Sequence, residues 1–298
     1  MNLLWITDPH FPFLRKEQQS LWDKLLIESG SDGLLLGGDL AEAPALERWL
    51  SHVVEIYPRP IAFVTGNHDF YHASIAEIRS RLGRFAKGSP RLSIFEPGLK
   101  NTPIQFPGTQ VWLCATGGWG DAQAGTCDAT DKPLNDENYI HELIHARDEG
   151  RLNSTLRGLG AESADHLCTQ LDQIPLDAKA VLILTHVPPW PSSAWHEGTI
   201  SPPAGLARFC CVALGSAIHA AARIRPATKF LVLCGHAHSG GLYEFENIQC
   251  HTGGCSYGQV HHNALLSISE SAVALRRLDG VIRSNGSLSF QPLLADDQ

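Results

Sequence analysis

Five short apolar runs limit the folds open to this 298-residue chain more than any other feature. "NLLWI" (2–6), "GLLL" (33–36), "IAFV" (61–64), "AVLILT" (180–185) and "KFLVLC" (229–234) read as strands buried on both faces, the pattern of a sheet covered by helices. Between them, residues 45–57 set Leu46, Trp49, Leu50, Val53, Val54 and Tyr57 at helical spacing. Residues 17–29 do likewise with Leu21, Leu25 and Leu26, and Gly30 follows as a C-cap. From about residue 240 the texture changes to short strands and tight turns, with hairpin turns expected at "LDG" (278–280) and "SNG" (284–286). The expected fold class is α/β with a mixed sheet. A single domain is expected over 1–298, with the β-rich C-terminal third, about 240–298, part of it.

Composition narrows the function. Hydrophobic residues make up 43% and charged residues 18%, ample for a globular core. The net charge of −8 argues against a basic groove tracking nucleic acid, yet leaves phosphate substrates open, because bound cations supply local positive charge. Met1-Asn2 passes straight into an apolar run with no basic segment, so no secretory signal is expected. No apolar stretch approaches the ~20 residues that span a bilayer, and no membrane partner is expected. Eight scattered cysteines without a C-x-x-C pair fit free thiols in a reducing cytoplasm.

Each of the five runs delivers a metal-capable side chain within four residues of its end. They lead in turn to Asp8 and His10, to Asp39, to Asn67-His68-Asp69, to His186, and to His236-Ala237-His238. Parallel strands would bring these groups to one edge of the sheet, where α/β folds bind ligands. Seven donors (Asp8, His10, Asp39, Asn67, His186, His236 and His238) are too many for one ion and suit a pair about 3.5–4 Å apart sharing a carboxylate. With oxygen and nitrogen donors and no thiolate required, the set suits Mn²⁺, Fe or Zn²⁺, and Mn²⁺ is the expected activator. Glycines before Asp39, Asn67 and His236 fit sharp turns in which backbone approaches an ion.

Asp8-x-His10, Gly38-Asp39, Gly66-Asn67-His68-Asp69, His186 and Gly235-His236-Ala237-His238 resemble the five ordered blocks of the calcineurin-like metallophosphoesterases. The blocks span residues 8–238. That resemblance implies a four-layer α/β/β/α sandwich with mixed sheets. It implies one ion on Asp8, His10 and His238, a second on Asn67, His186 and His236, and Asp39 between them. The cations would lower the pKa of a shared water and neutralise phosphate oxygens. His68 and Asp69 are the expected catalytic pair: His68, as imidazolium, would protonate the leaving oxygen, and Asp69 would orient His68 or support a ligand.

The bridging block departs from that of the Ser/Thr protein phosphatases of the superfamily. Glu42 stands where they carry aspartate, Ala43 where they carry a phosphate-binding arginine, and Asp69 where they carry glutamate. The expected substrate is therefore a small phosphodiester, nucleotide or phosphomonoester, with a nuclease of the same superfamily as the alternative. A catalytically silent binding module is a further reading.

"HELIH" (141–145) raises a different chemistry. On a helix, His141 and His145 share a face beside Glu142, as in zinc peptidases. That reading uses Glu162 as third ligand and leaves Asp8, Asn67 and "GHAH" idle. An amphipathic helix over 136–149 is the plainer expectation. Loops are expected at 116–135 and 187–209, where Trp119, Trp190, Trp195 and His196 either stack on a planar ligand or, the favoured reading, fill gaps. "RFCC" (208–211) reads as buried helix.

Overall fold

The computed structural model describes residues 1–100, 102–126, 135–278, 280–282 and 288–290. The chain begins with β1 (Asn2–Ile6), α1 (Lys16–Glu28), β2 (Gly33–Leu36), α2 (Leu46–Ile56), β3 (Ile61–Phe63), α3 (Ile75–Lys87) and β4 (Leu92–Ile94). It continues with β5 (Ile104–Gln105), β6 (Val111–Thr116), α4 (Asp136–Tyr139), α5 (His141–Asp148), α6 (Leu152–Leu171) and β7 (Ala180–Thr185). Then come β8 (Trp195–His196), β9 (Thr199–Ile200), α7 (Pro203–Phe209), α8 (Val212–Arg223) and β10 (Lys229–Cys234). The last strands are β11 (Gly241–Phe245), β12 (Ile248–Thr252), β13 (Ala264–Ile268), β14 (Val273–Arg277), and a β15 (Gly280–Ile282)–β16 (Leu288–Phe290) hairpin.

Two six-stranded mixed sheets result, ordered β14-β13-β1-β2-β3-β4 and β11-β12-β10-β7-β6-β5. β1 to β4 run parallel, as do β6, β7, β10 and β12; the flanking strands β13, β11 and β5 pair antiparallel. Strand alternation sorts the apolar runs into layers. Leu3, Trp5, Leu35 and Ala62 of the first sheet face Leu182, Leu184, Leu231 and Leu233 of the second across one buried cluster. The alternate residues Leu4, Ile6, Leu36 and Phe63 face outward onto Trp22, Leu26, Leu50 and Ile78 of α1 to α3. On the far side Val181, Ile183 and Val232 meet Leu167 and Leu171 of α6 and Leu214 and Ile218 of α8. Three apolar clusters thus separate four layers, α/β/β/α. The C-terminal strands are shared out, β11 and β12 to one sheet and β13 and β14 to the other.

Some expectations change. Residues 136–149 form two helices, broken at extended Ile140 (φ −101°, ψ 121°), which is buried and bridges to Ala73. Residues 187–209 hold α7 and the β8–β9 hairpin. "RFCC" is split: half-buried Arg208 and Phe209 end α7, and buried Cys210 and Cys211 form the elbow to α8, where the axes bend by 71°. Its Cys210 carbonyl accepts from Asp121 N–H, and Cys211 N–H donates to the Pro188 carbonyl, so adjoining loops take bonds a helix would have used. The "LDG" and "SNG" turns, residues 127–134 of the first loop, and Cys127 lie outside the described residues. Among those described, no single helix is long and apolar enough to cross a membrane.

Candidate metal centre

The carboxyl ends of β1, β2 and β3 meet those of β7 and β10, and all seven expected donors converge there. Five of them occupy left-handed backbone: Asp8 (φ 52°), His10 (43°), Asp39 (54°), His236 (66°) and His238 (65°). Non-glycine residues enter this region at a cost of about 1–3 kcal/mol each, so a cluster of five marks a site the surrounding fold forces into shape. Gly66 explains one tight approach: a Cβ there would strike the Asp39 carboxylate and come within 2.7 Å of His186 Cε1.

The donors form two lobes. In one, His10 Nε2 lies 3.3 Å from His238 Nε2, and His238 Nε2 lies 3.5 Å from Asp8 Oδ1. In the other, Asn67 Oδ1 lies 3.1 Å from His186 Nε2 and 2.9 Å from His236 Nδ1. Asp39 stands between them, Oδ2 3.7 Å from His10 Nε2 and Oδ1 3.5 Å from His186 Nε2. All but part of His238 is buried.

The hydrogen-bond network assigns protons in the second lobe. His186 Nδ1 donates to the Gly37 carbonyl (2.8 Å) and His236 Nε2 to the Arg208 carbonyl (3.1 Å), leaving the facing nitrogens as lone pairs. Asn67 Nδ2 donates to Asp136 Oδ1 (2.7 Å), which turns its Oδ1 inward. Three acceptors therefore converge with no donor among them. Separations of 2.9–3.7 Å are those of donors around one ion with bonds of about 2.1 Å, so the residues fit divalent cations.

Charge is organised to match. Burial alone would raise the Asp8 pKa, but His186, the bond to and charge of His238, and His10 outweigh it and hold the carboxyl well below the usual range. Burial and then the charges of Asp8 and Asp69 push Asp39 well up. Such crowding of carboxylates is relieved by cations.

The family model for calcineurin-like phosphoesterases matches residues 1–240. The chain belongs to this family. No curated protein matches it. Among solved structures, phosphopantetheinyl hydrolase from Mycobacterium tuberculosis is similar in fold (TM-score 0.59, 12% identity, 86% of this chain and 90% of that one). So is a dimetal phosphatase from Danio rerio (0.56, 16%, 93% and 95%). GAP50, the anchor in the inner membrane complex of Plasmodium, also shares it (0.53, 9%, 97% and 87%). At these identities the likeness is one of fold.

As a calcineurin-like phosphoesterase the chain is a phosphoester hydrolase of a family that holds two divalent cations. The residues expected to act on substrate are placed differently from each other. His68 Nε2 lies at the open side, 3.9 Å from Asp39 Oδ2 and 3.5 Å from Tyr257 Oη, its ring stacked on Tyr71. Burial first, then the charges of His186 and His238, push its pKa down to about 3. This downward shift runs against the imidazolium expected at His68. Asp69 does not bond to the His68 ring. Its Oδ1 accepts from Leu40 and Ala41 N–H, and its Oδ2 from Asp39 and Gly66 N–H (2.8–3.1 Å), so it positions the Asp39 and Gly66 loops.

Asp136 and Tyr71 had no motif to reveal them. Tyr71 Oη donates to Asp136 Oδ1 (2.6 Å), and the pair orients the Asn67 amide. Asp136→Ala is expected to lower cation affinity at the second lobe about 10–100-fold, measured by titration of the metal-free protein.

The "HELIH" string has another use. His141 and His145 are exposed, Glu142 accepts from Ile75 and Ala76 N–H at the start of α3, and Glu162 pairs with Arg79. Among the described residues none of the four joins a metal-capable group. His141→Ala should leave hydrolysis within about 2-fold of wild type. Glu142→Ala should cost about 1 kcal/mol in denaturant melts through the lost cap. Trp119 and Trp190 are buried fillers, as favoured.

Proposed function

We propose that this chain, working as one domain in the cytoplasm, hydrolyses a small phosphodiester or nucleotide at a two-cation centre formed by Asp8, His10, Asp39, Asn67, His186, His236 and His238. The observation that carries this reading is the convergence of Asn67 Oδ1, His186 Nε2 and His236 Nδ1, acceptors facing one another without a proton. When bound, two divalent cations supply an acidified water and neutralise charge on the phosphate. The chain's own groups do the rest. Asp39 holds the two lobes in register, and the carbonyls of Gly37 and Arg208 fix the tautomers of His186 and His236. His68 offers Nε2–H to the leaving oxygen as a neutral donor.

Two features favour a singly charged diester with a planar group. Among the described residues, no hydrogen bond or ion pair of the seven donors involves a lysine or arginine side chain. A doubly charged monoester would ask for more positive charge than that. Phe13 (48% exposed) and Tyr257 (47%) pack with ring centroids 4.9 Å apart, and Tyr257 sits 4.5 Å from His10. Exposed aromatic faces beside the centre suit a nucleobase.

The test is a metal-stripped protein reloaded with Mn²⁺, Fe²⁺ or Zn²⁺ and assayed on aryl mono- and diesters, cyclic nucleotides, nucleoside diesters and oligonucleotides. Mn²⁺ is expected to restore turnover, greatest with nucleoside diesters. Two bound ions and no turnover on any ester would sink the enzyme reading in favour of a silent binding module. A preference for oligonucleotides would move it to the nuclease.

A further inference from the structure

We infer that Cys255 is a thiolate ligand of the cation in the Asp8–His10–His238 lobe, a donor absent from the seven that the motifs provide. This rests on the two-cation reading above. Cys255 is 8% exposed, and its Sγ, together with ligand atoms of Asp8, His10 and His238, forms a group lying mutually within 4.8 Å. No hydrogen bond to that sulfur occurs among the described residues, so a buried polar atom faces three donors with nothing to satisfy it. Its backbone is held in place. Cys255 N–H donates to the His238 carbonyl (3.0 Å), which ties the thiol-bearing loop after β12 to the loop that carries His238. Asn263 clamps the other side: its Oδ1 accepts from Thr7 N–H (2.8 Å) and its Nδ2 donates to the Gly254 carbonyl (2.9 Å). One side chain thus spaces Asp8 from Cys255 through their immediate neighbours.

The chemistry follows from donor type. Binding forms a sulfur–metal bond and releases the thiol proton to solvent. A thiolate prefers softer ions, so this lobe takes zinc, iron or cobalt ahead of manganese, while the Asn67–His186–His236 lobe, with oxygen and nitrogen donors only, keeps the harder ion. The centre is a mixed pair.

Cobalt provides a readout independent of turnover. Metal-free wild type loaded with Co²⁺ is expected to bind two ions and to show a thiolate-to-cobalt charge-transfer band in the near ultraviolet. Cys255→Ser and Cys255→Ala should lose the band, with affinity for one ion falling at least about 10-fold. In zinc-loaded wild type, X-ray absorption should show a sulfur neighbour at about 2.3 Å, which needs no variant to fold. Two bound cobalt ions without the band, or a band that survives in Cys255→Ser, overturns the thiolate and leaves the two-cation centre standing. A wild type that binds no cobalt overturns both.

Discussion

Asp39→Asn is expected to lower hydrolysis of an aryl phosphodiester by at least about 10³-fold, because it removes the one charge shared by both lobes. The same change should stabilise the metal-free protein. Asp39 is buried beside Asp8 and Asp69, and both their charges and its own burial oppose its ionisation. An amide of the same shape escapes that repulsion and keeps an oxygen for the His68 N–H, now bonded at 2.9 Å. Thermal melts should therefore show the variant at or above wild type without metal, and well below it once Mn²⁺ is added. If the variant stays active, or gains as much from Mn²⁺ as wild type does, Asp39 does not bridge.

Asp69→Ala should act on the fold before it acts on rate. Four backbone N–H groups, those of Asp39, Leu40, Ala41 and Gly66, end on this carboxylate inside a dry site. Each donor left unsatisfied costs about 1–3 kcal/mol, so a loss above about 4 kcal/mol is expected in urea unfolding. Asn should recover only part of this, since its NH₂ would point at two donors. A melt within 1 kcal/mol of wild type would mean that water replaces the carboxylate (the threshold follows from the same per-bond cost).

Much of this was legible in the sequence because strand burial and ligand placement are both local in the chain. An apolar run of four to six residues followed by Gly-Asp or Gly-Asn-His says where a strand stops and what it presents there. The family match over residues 1–240 accords with that reading. What the sequence hid depends on distance. Asp136 reaches Asn67 across 69 positions, and Cys255 meets Asp8 across 247, with no spacing rule to connect them. Ile140 shows a second limit: its helical spacing is sound, but a bridge to Ala73 and full burial draw it into extended backbone. The lowered His68 pKa was hidden too, being set by burial and then by His186 and His238, which only the fold brings near.

Asp8 and His10 emerge from one sheet and His238 from the other; Asn67 comes from the first, His186 and His236 from the second. Every ion bound here would therefore act as a rivet through both halves of the sandwich, fastening at one end two walls that otherwise meet across an apolar cluster and a few hydrogen bonds, such as those from Arg277 to the Gly241 and Thr252 carbonyls. Catalysis and mechanical closure would share the same pair of fasteners, so whatever extracts the metal also loosens the frame that aimed it.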